Sequence, residues 1–163
     1  MLKFNLSSFT ARQELSLEIT KDDISLDDTA AIEGPMLLEL ALTKDTETSV
    51  IVEGKLKGTL KVSCSRCLKD IKQDIESDFV VICKDKSRMT EEDVESDVLE
   101  YKDNELDLTE FVRETVLLEA PIKPVCDEKC LGLCPVCGKN RNEGDCGHKQ
   151  ETGFNPFSGL DIK

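Results

Sequence analysis

Six side chains able to ligate a metal fall within twenty-three residues, in the pattern Cys126-x3-Cys130-x3-Cys134-x2-Cys137-x8-Cys146-x-His148, and Cys64-x2-Cys67 supplies two more. Eight ligands make two tetrahedra. Zinc takes four sulfur or nitrogen ligands, at about 2.3 Å for sulfur. A tight Cys-x2-Cys turn presents two thiolates to one ion, and a glycine after it permits the needed backbone. Cys134-Pro135-Val136-Cys137-Gly138 has that form. Cys146 and His148 lie one short hairpin beyond Cys137, so Cys134, Cys137, Cys146 and His148 form one expected set. Cys64 and Cys67 need a second pair, and Cys126 with Cys130 remains. A single zinc using four of these positions is the competing arrangement.

Other chemistry fits these residues less well. A redox Cys-x-x-Cys usually opens a helix at the end of a strand, whereas Cys64 and Cys67 fall at an expected hairpin tip. A catalytic zinc keeps one position open and wants a nearby base, but here ligands are abundant, so closed structural sites, one or two zincs, are expected. The single histidine is already assigned as a ligand, so no Ser/His/Asp or Cys/His arrangement can be assembled, and no phosphate-cradling glycine loop occurs. The chain is therefore expected not to be an enzyme and to take no small-molecule substrate. Cys83, on the inward face of an expected strand, reads as a small buried hydrophobe.

The elements that must position these ligands are legible in the alternation of apolar and polar residues. Leu15, Leu17 and Ile19 share one face of a short strand, Glu33-Gly34-Pro35 signals a turn, and an apolar run follows from Met36 to Leu42. From Thr48 onward Val50, Val52, Leu56, Leu60 and Val62 alternate with Glu53, Lys55, Lys57 and Lys61. Ile71, Ile75, Phe79, Val81 and Cys83 then alternate with Lys72, Asp74, Glu76 and Asp78. Folding the two runs about Ser65-Arg66 sets Leu60 opposite Ile71, Leu56 opposite Ile75, Val52 opposite Phe79 and Val50 opposite Val81. It also sets Lys61 against Asp70, Lys57 against Asp74 and Lys55 against Glu76. This predicts a long antiparallel hairpin with Cys64-Ser65-Arg66-Cys67 at its tip. Residues 106 to 119 read as one helix ended by Pro121, with Asp107 as N-cap and Leu108, Phe111, Val112, Thr115 and Leu118 or Val116 near one stripe. The expected fold class is α+β: a mostly antiparallel sheet or partly open barrel with one long hairpin, one helix and a C-terminal zinc-ribbon-like segment. The β-rich domain covers 1–120, with an acidic loop at 84–105 and the helix at 107–120. The cysteine-rich segment and a docking tail, Phe154-Asn155-Pro156-Phe157-Ser158-Gly159-Leu160, cover 121–163.

A chain of 163 residues can bury a core without crosslinks, so the cysteines are not needed merely for folding. No apolar run approaches the roughly 18 residues of a membrane span, and the start lacks the apolar segment of a signal peptide. A cytoplasmic, reducing location follows as the expectation, which disfavours disulfides. The net charge of −13 opposes nonspecific nucleic-acid binding, which draws its free energy from cations that displace phosphate counterions. About half of the excess lies between Lys84 and Glu110, with eleven acids against four bases. That stretch is expected to be a mobile loop. Near the tip, Lys55, Lys57 and Lys61 face acids in the expected register, whereas Arg66, Lys69 and Lys72 stay unpaired and are the candidate RNA contacts. Lys123, Lys129, Lys139, Arg141 and Lys149 decorate the tail.

Cys64-Ser65-Arg66-Cys67-Leu68 after a strand, Ala120-Pro121-Ile122-Lys123-Pro124-Val125-Cys126, Gly132-Leu133-Cys134-Pro135-Val136-Cys137-Gly138 and Asn155-Pro156-Phe157, in this order, resemble the YceD family of large ribosomal RNA subunit accumulation proteins. Cys-Pro-x-Cys-Gly occurs in many zinc ribbons; the combination spans nearly the whole chain. The resemblance implies a non-enzymatic protein needed for accumulation of large-subunit ribosomal RNA in bacteria and plastids. One departure is Cys146-Gly147-His148, where many members close the cluster with Cys-x-Cys. The partner implied is the pre-ribosomal large subunit, through a ribosomal protein or the rRNA within it, with no membrane involved. The alternatives are a thiol redox sensor or redox-regulated holdase, and a zinc-folded interaction domain unrelated to RNA.

Overall fold

A computed structural model of the chain describes residues 2–7, 11–26 and 30–148. Its centre is the hairpin of β5 (Ser49–Ser63) and β6 (Asp70–Asp85), antiparallel over their full length. Gly54 and Gly58 interrupt the apolar alternation of β5 on its inward face, and both gaps are filled from elsewhere. A Cβ on Gly54 would stand 2.1 Å from Phe79 Cζ, and one on Gly58 would stand 2.4 Å from Met36 Cγ. The Phe79 ring thus lies over Gly54 and meets Phe111 edge-on, with centroids 5.1 Å apart.

Around the hairpin an open sheet is laid down in the order β2 (Arg12–Ile19), β4 (Met36–Lys44), β5, β6 and β7 (Leu99–Tyr101). The short β3 (Ala30–Ile32) pairs with β5 beyond the end of β4. All pairings are antiparallel except β6 with β7, and the strands do not close into a barrel. A separate pair, β1 (Lys3–Asn5) and β8 (Glu105–Asp107), ties the start of the chain to the entry of the main helix, where Leu108 N–H donates to Leu2 C=O. Met36, Leu38, Leu40 and Leu42 from β4, and Val50, Val52, Leu56, Leu60 and Val62 from β5, form the buried face of the sheet.

Three expectations are corrected. The hairpin faces are as expected, but the register is moved by two residues: Val62 lies opposite Ile71, Lys57 opposite Glu76 and Lys55 opposite Asp78. The tip is wider than a turn centred on Ser65-Arg66, because Cys64 N–H closes onto Lys69 C=O. A two-residue shift leaves every side chain on its face. Lys61–Asp70 at 2.7 Å and Lys55–Glu76 at 3.4 Å survive as diagonal pairs, while Lys57 turns from Asp74 to Glu76 at 2.9 Å. The main helix, α2 (Thr109–Glu119), begins later than expected. Leu106 and Asp107 belong to β8, and the Asp107 carboxylate accepts from Thr109 N–H from that strand. Its buried stripe takes Val112 and Val116 and leaves Leu118 at 85% exposure.

The acidic stretch is also not a bare loop. It holds a 3-10 turn at Lys86–Arg88, a short helix α1 (Glu91–Glu95) and β7. Thr90 and Asp93 form a reciprocal capping box that starts α1, and Lys84 Nζ meets Asp93 at 2.6 Å. Acids in the first turn of a helix are favourable, so a run that looks only solvated can still be folded. Among the described residues no helix is long and apolar enough to cross a membrane. The tail from Phe154 to Leu160, Asn155-Pro156-Phe157 included, and Lys149 lie outside the described residues.

Candidate metal centres

The hairpin tip is built by a specific turn. Cys64 N–H donates to Lys69 C=O at 2.8 Å, Leu68 N–H donates to Cys64 C=O at 2.9 Å, and Leu68 takes a left-handed φ of 59°. The same turn recurs seventy residues later. Cys134 N–H donates to Lys139 C=O at 2.8 Å, Gly138 N–H donates to Cys134 C=O at 2.8 Å, and Gly138 has φ 72°. Each turn points two thiols to one side.

The chain after α2 packs onto the first turn. Pro124 C=O accepts from Ser65 N–H and from its hydroxyl at 2.8 and 2.9 Å, and Leu133 N–H donates to Arg66 C=O at 3.1 Å. Gly132 is required there, because at φ 72° a Cβ would also stand 2.9 Å from the Arg66 carbonyl oxygen. These contacts bring Cys126 and Cys130 to Cys64 and Cys67. The Cys64 and Cys130 sulfurs are 4.0 Å apart and those of Cys67 and Cys126 are 3.6 Å apart. A zinc with bonds of about 2.3 Å in a tetrahedron sets its sulfurs about 3.8 Å apart, whereas a disulfide needs about 2.05 Å. Cys134, Cys137, Cys146 and His148 form the second set. In each set the four ligand atoms lie within 4.8 Å of one another, so each can hold a metal ion. All eight cysteines are free thiols.

The thiols of the first set differ in acidity. Backbone N–H groups of Arg66 and Cys126 hold the Cys64 thiol down at about 6. The adjoining Cys130 and Cys67 push Cys126 up to about 12. One sulfur is therefore ready to carry charge while its neighbour resists a second, and four thiolates can coexist only around a positive ion. In the second set the His148 N–H, then Cys134, lowers Cys146. The Lys139 N–H acts to lower Cys137, but Cys134, burial and Cys146 outweigh it and raise that thiol. The first set is largely enclosed, with Cys64, Cys67 and Cys130 buried; the second leaves Cys137 and His148 exposed. Cys83 belongs to neither and sits fully buried in the sheet core, where burial pushes its thiol up to about 12.

The model of the YceD family, described as large ribosomal RNA subunit accumulation protein YceD, matches residues 52–163, which contain both ligand sets. The chain belongs to the YceD family. An uncharacterised protein of Mycobacterium tuberculosis is 32% identical over 110 residues, which is 66% of this chain and 53% of that protein. The chloroplastic large ribosomal RNA subunit accumulation protein YCED homolog 1 of Arabidopsis thaliana is 37% identical over 59 residues, 34% of this chain and 18% of its own. Its Zea mays counterpart is 33% identical over 61 residues, with 36% and 21% covered. The chain thus spans about half the length, or less, of these curated relatives. No solved structure matches it.

Two of the three candidate RNA contacts of this YceD member, expected to stay unpaired, are engaged. Arg66 is engaged: its guanidinium donates to the carbonyls of Glu128 and Cys130 at 2.9 and 3.0 Å and clamps the second half of the first ligand set. Lys72 pairs with Glu33 at 2.7 Å. Lys69 remains exposed beside the knuckle. The register shift does not cause this; Glu33 comes from the turn before β4, and the carbonyls come from a segment more than sixty residues later. Sequence reasoning also missed Asn142. It accepts from Leu131 N–H at 2.8 Å and donates to Cys130 Sγ at 3.3 Å, so a residue inside the second loop supports a ligand of the first site. Nothing in its neighbourhood of sequence signals that role.

Proposed function

We propose that the chain is a non-enzymatic, zinc-stabilised factor that supports accumulation of large-subunit ribosomal RNA and assembly of the large ribosomal subunit in the cytoplasm. The single observation that carries this reading is the family match over residues 52–163, which spans both four-ligand sets. Two zincs, one per set, fit the donor chemistry: seven thiols and one imidazole complete both tetrahedra and leave no position for a substrate. The zincs would serve to hold the segment 121–148 against the tip of the hairpin and to present that composite end to a pre-ribosomal particle. With a net charge of −13 the chain would reach ribosomal RNA through a protein of the particle, and any direct contact would fall first to Lys69, since Lys72 is held by Glu33 and Arg66 by the carbonyls of Glu128 and Cys130.

Depletion of the protein tests this in cells. Large-subunit rRNA should fall relative to small-subunit rRNA, and the tagged chain should sediment with large-subunit precursors. Unchanged rRNA together with sedimentation only as free protein would sink the reading. Purified chain should carry two zincs, and Cys64→Ser and Cys134→Ser should each carry one. Zinc lost only in Cys134→Ser would leave the first site without metal.

A further inference from the structure

Strand β2 is one of the two outer strands of the sheet, and among the described residues no strand pairs with its second edge. The orientation of its backbone follows from one bond. Lys44 N–H donates to Ala11 C=O, and the antiparallel register continues from there through Arg12 opposite Thr43 to Ile19 opposite Met36. In such a ladder alternate residues turn their N–H and C=O groups toward the partner. Gln13, Leu15, Leu17 and Ile19 therefore face β4, while Arg12, Glu14, Ser16 and Glu18 hold their backbone groups out to the free edge.

Both faces beside this edge are unfinished. On the outer face lies a trough of about 690 Å³ that includes Glu14, Ser16, Glu39, Ala41 and Glu53. Its lining carries the acids Glu14, Glu39, Glu53 and Asp78 against the cations Arg12 and Lys55, and both cations are already engaged: Arg12 reaches Glu14 at 3.2 Å and Glu53 at 3.7 Å, and Lys55 reaches Asp78 at 3.5 Å. Glu18 adds a further exposed acid on the same face of β2. On the inner face Leu15 and Leu17 are only half-buried. They border a cavity of about 220 Å³ that also involves Phe4, Leu6 and Leu42. An edge strand of eight residues usually carries a device that blocks pairing; here the charges lie on one face and the backbone is open.

We propose that the edge of β2 takes up an extended segment of a basic protein, added as a further strand, with cationic side chains over Glu14, Glu18 and Glu39 and apolar side chains in the cavity beside Leu15 and Leu17. The backbone supplies the pairing and the alternate side chains supply the choice of partner, as in other strand-addition complexes. The acids exclude nucleic acid from this surface. The inference rests on the adaptor reading above and names the class of protein through which an acidic chain would reach the particle.

Ser16→Pro is the decisive variant, because it removes an edge N–H and leaves the ladder to β4 whole. Binding of a fluorescent peptide of about ten residues, alternating lysine with valine, would be measured by polarisation to the full chain. The peptide should bind wild type, and affinity should fall about tenfold or more in Ser16→Pro and in Glu14→Lys/Glu18→Lys. A peptide alternating lysine with glycine should bind at least about tenfold more weakly. Unchanged zinc content and circular dichroism would show that the variants are folded. Absence of binding to wild type, equal binding by folded Ser16→Pro, equal binding of the glycine peptide, or binding only after removal of residues 149–163 would each overturn the proposal. The last would assign the edge to the chain's own tail. Sedimentation of the same variants separates the two readings: wild type that joins the particle while Ser16→Pro joins it equally well refutes the edge and spares the adaptor.

Discussion

Leu68 occupies, at φ 59°, the place that the second knuckle gives to Gly138 at φ 72°. A side chain in the left-handed region costs about 1 kcal/mol, and Leu68 is 65% exposed, so it gains little packing in return. Leu68→Gly should therefore raise stability by about 0.5 to 1 kcal/mol, measured as a shift of the denaturant midpoint with zinc content unchanged; a loss of that size would show that the leucine is held by contacts. Gly132→Ala should act in the other direction and more strongly, since it adds both strain and a contact with the Arg66 carbonyl. The ligands were legible at this scale because a tetrahedral ion draws its ligands in closely spaced pairs, with one to three residues between the members of each pair. Arg66 was not legible. A guanidinium next to a cysteine knuckle reads as a free cation until the chain returns and puts two carbonyls in front of it.

At the scale of elements, the inward glycines of β5 set how the main helix docks. Gly54→Ala places a methyl where the Phe79 ring now lies, so Phe79 and Phe111 must move together; a loss of about 1 to 3 kcal/mol in denaturant unfolding is expected. A cost below a few tenths of that would mean the aromatic pair is free to slide. The short α1 carries its own test. Lys84, then Thr90, holds the Asp93 carboxyl down at about 2, below the 3.8 it has when unperturbed. The folded chain thus binds this proton less tightly than the unfolded chain. The stabilisation is complete above about pH 4 and is lost as pH falls toward 2. Asp93→Asn should remove that part of the acid dependence, seen as a flatter stability profile for the variant than for wild type over this window; parallel profiles would refute it. Strand faces were readable because the period of two is enforced by burial. The register was not, because a shift of two residues keeps each face and even keeps two of the expected ion pairs.

For the whole molecule, the sheet with α2 forms one apolar cluster, and Cys64, Cys67 and Cys130 with Val125 and Leu133 form another. The first needs no metal. The second is small and its centre is sulfur, so its order depends on the ion. Chelation should leave the β-sheet signal in circular dichroism largely intact while amides from 121 to 148 lose protection from hydrogen exchange. Global unfolding on chelation, or protection that persists in the metal-free chain, would show the two clusters to be one cooperative unit.

The sequence by itself determined the α+β class, the faces of the long hairpin, the start of the cysteine-rich segment and the eight side chains able to ligate, because each rests on local periodicity or on the short reach of a turn. Only the tertiary structure decided the register, the late start of α2, the folding of the acidic stretch and the inward turn of Arg66. It also decided that the second edge of β2 is left open among the described residues. Those depend on groups distant in the chain meeting in space, and the alternation of apolar and polar residues carries no record of which distant carbonyl, carboxylate or glycine will be opposite.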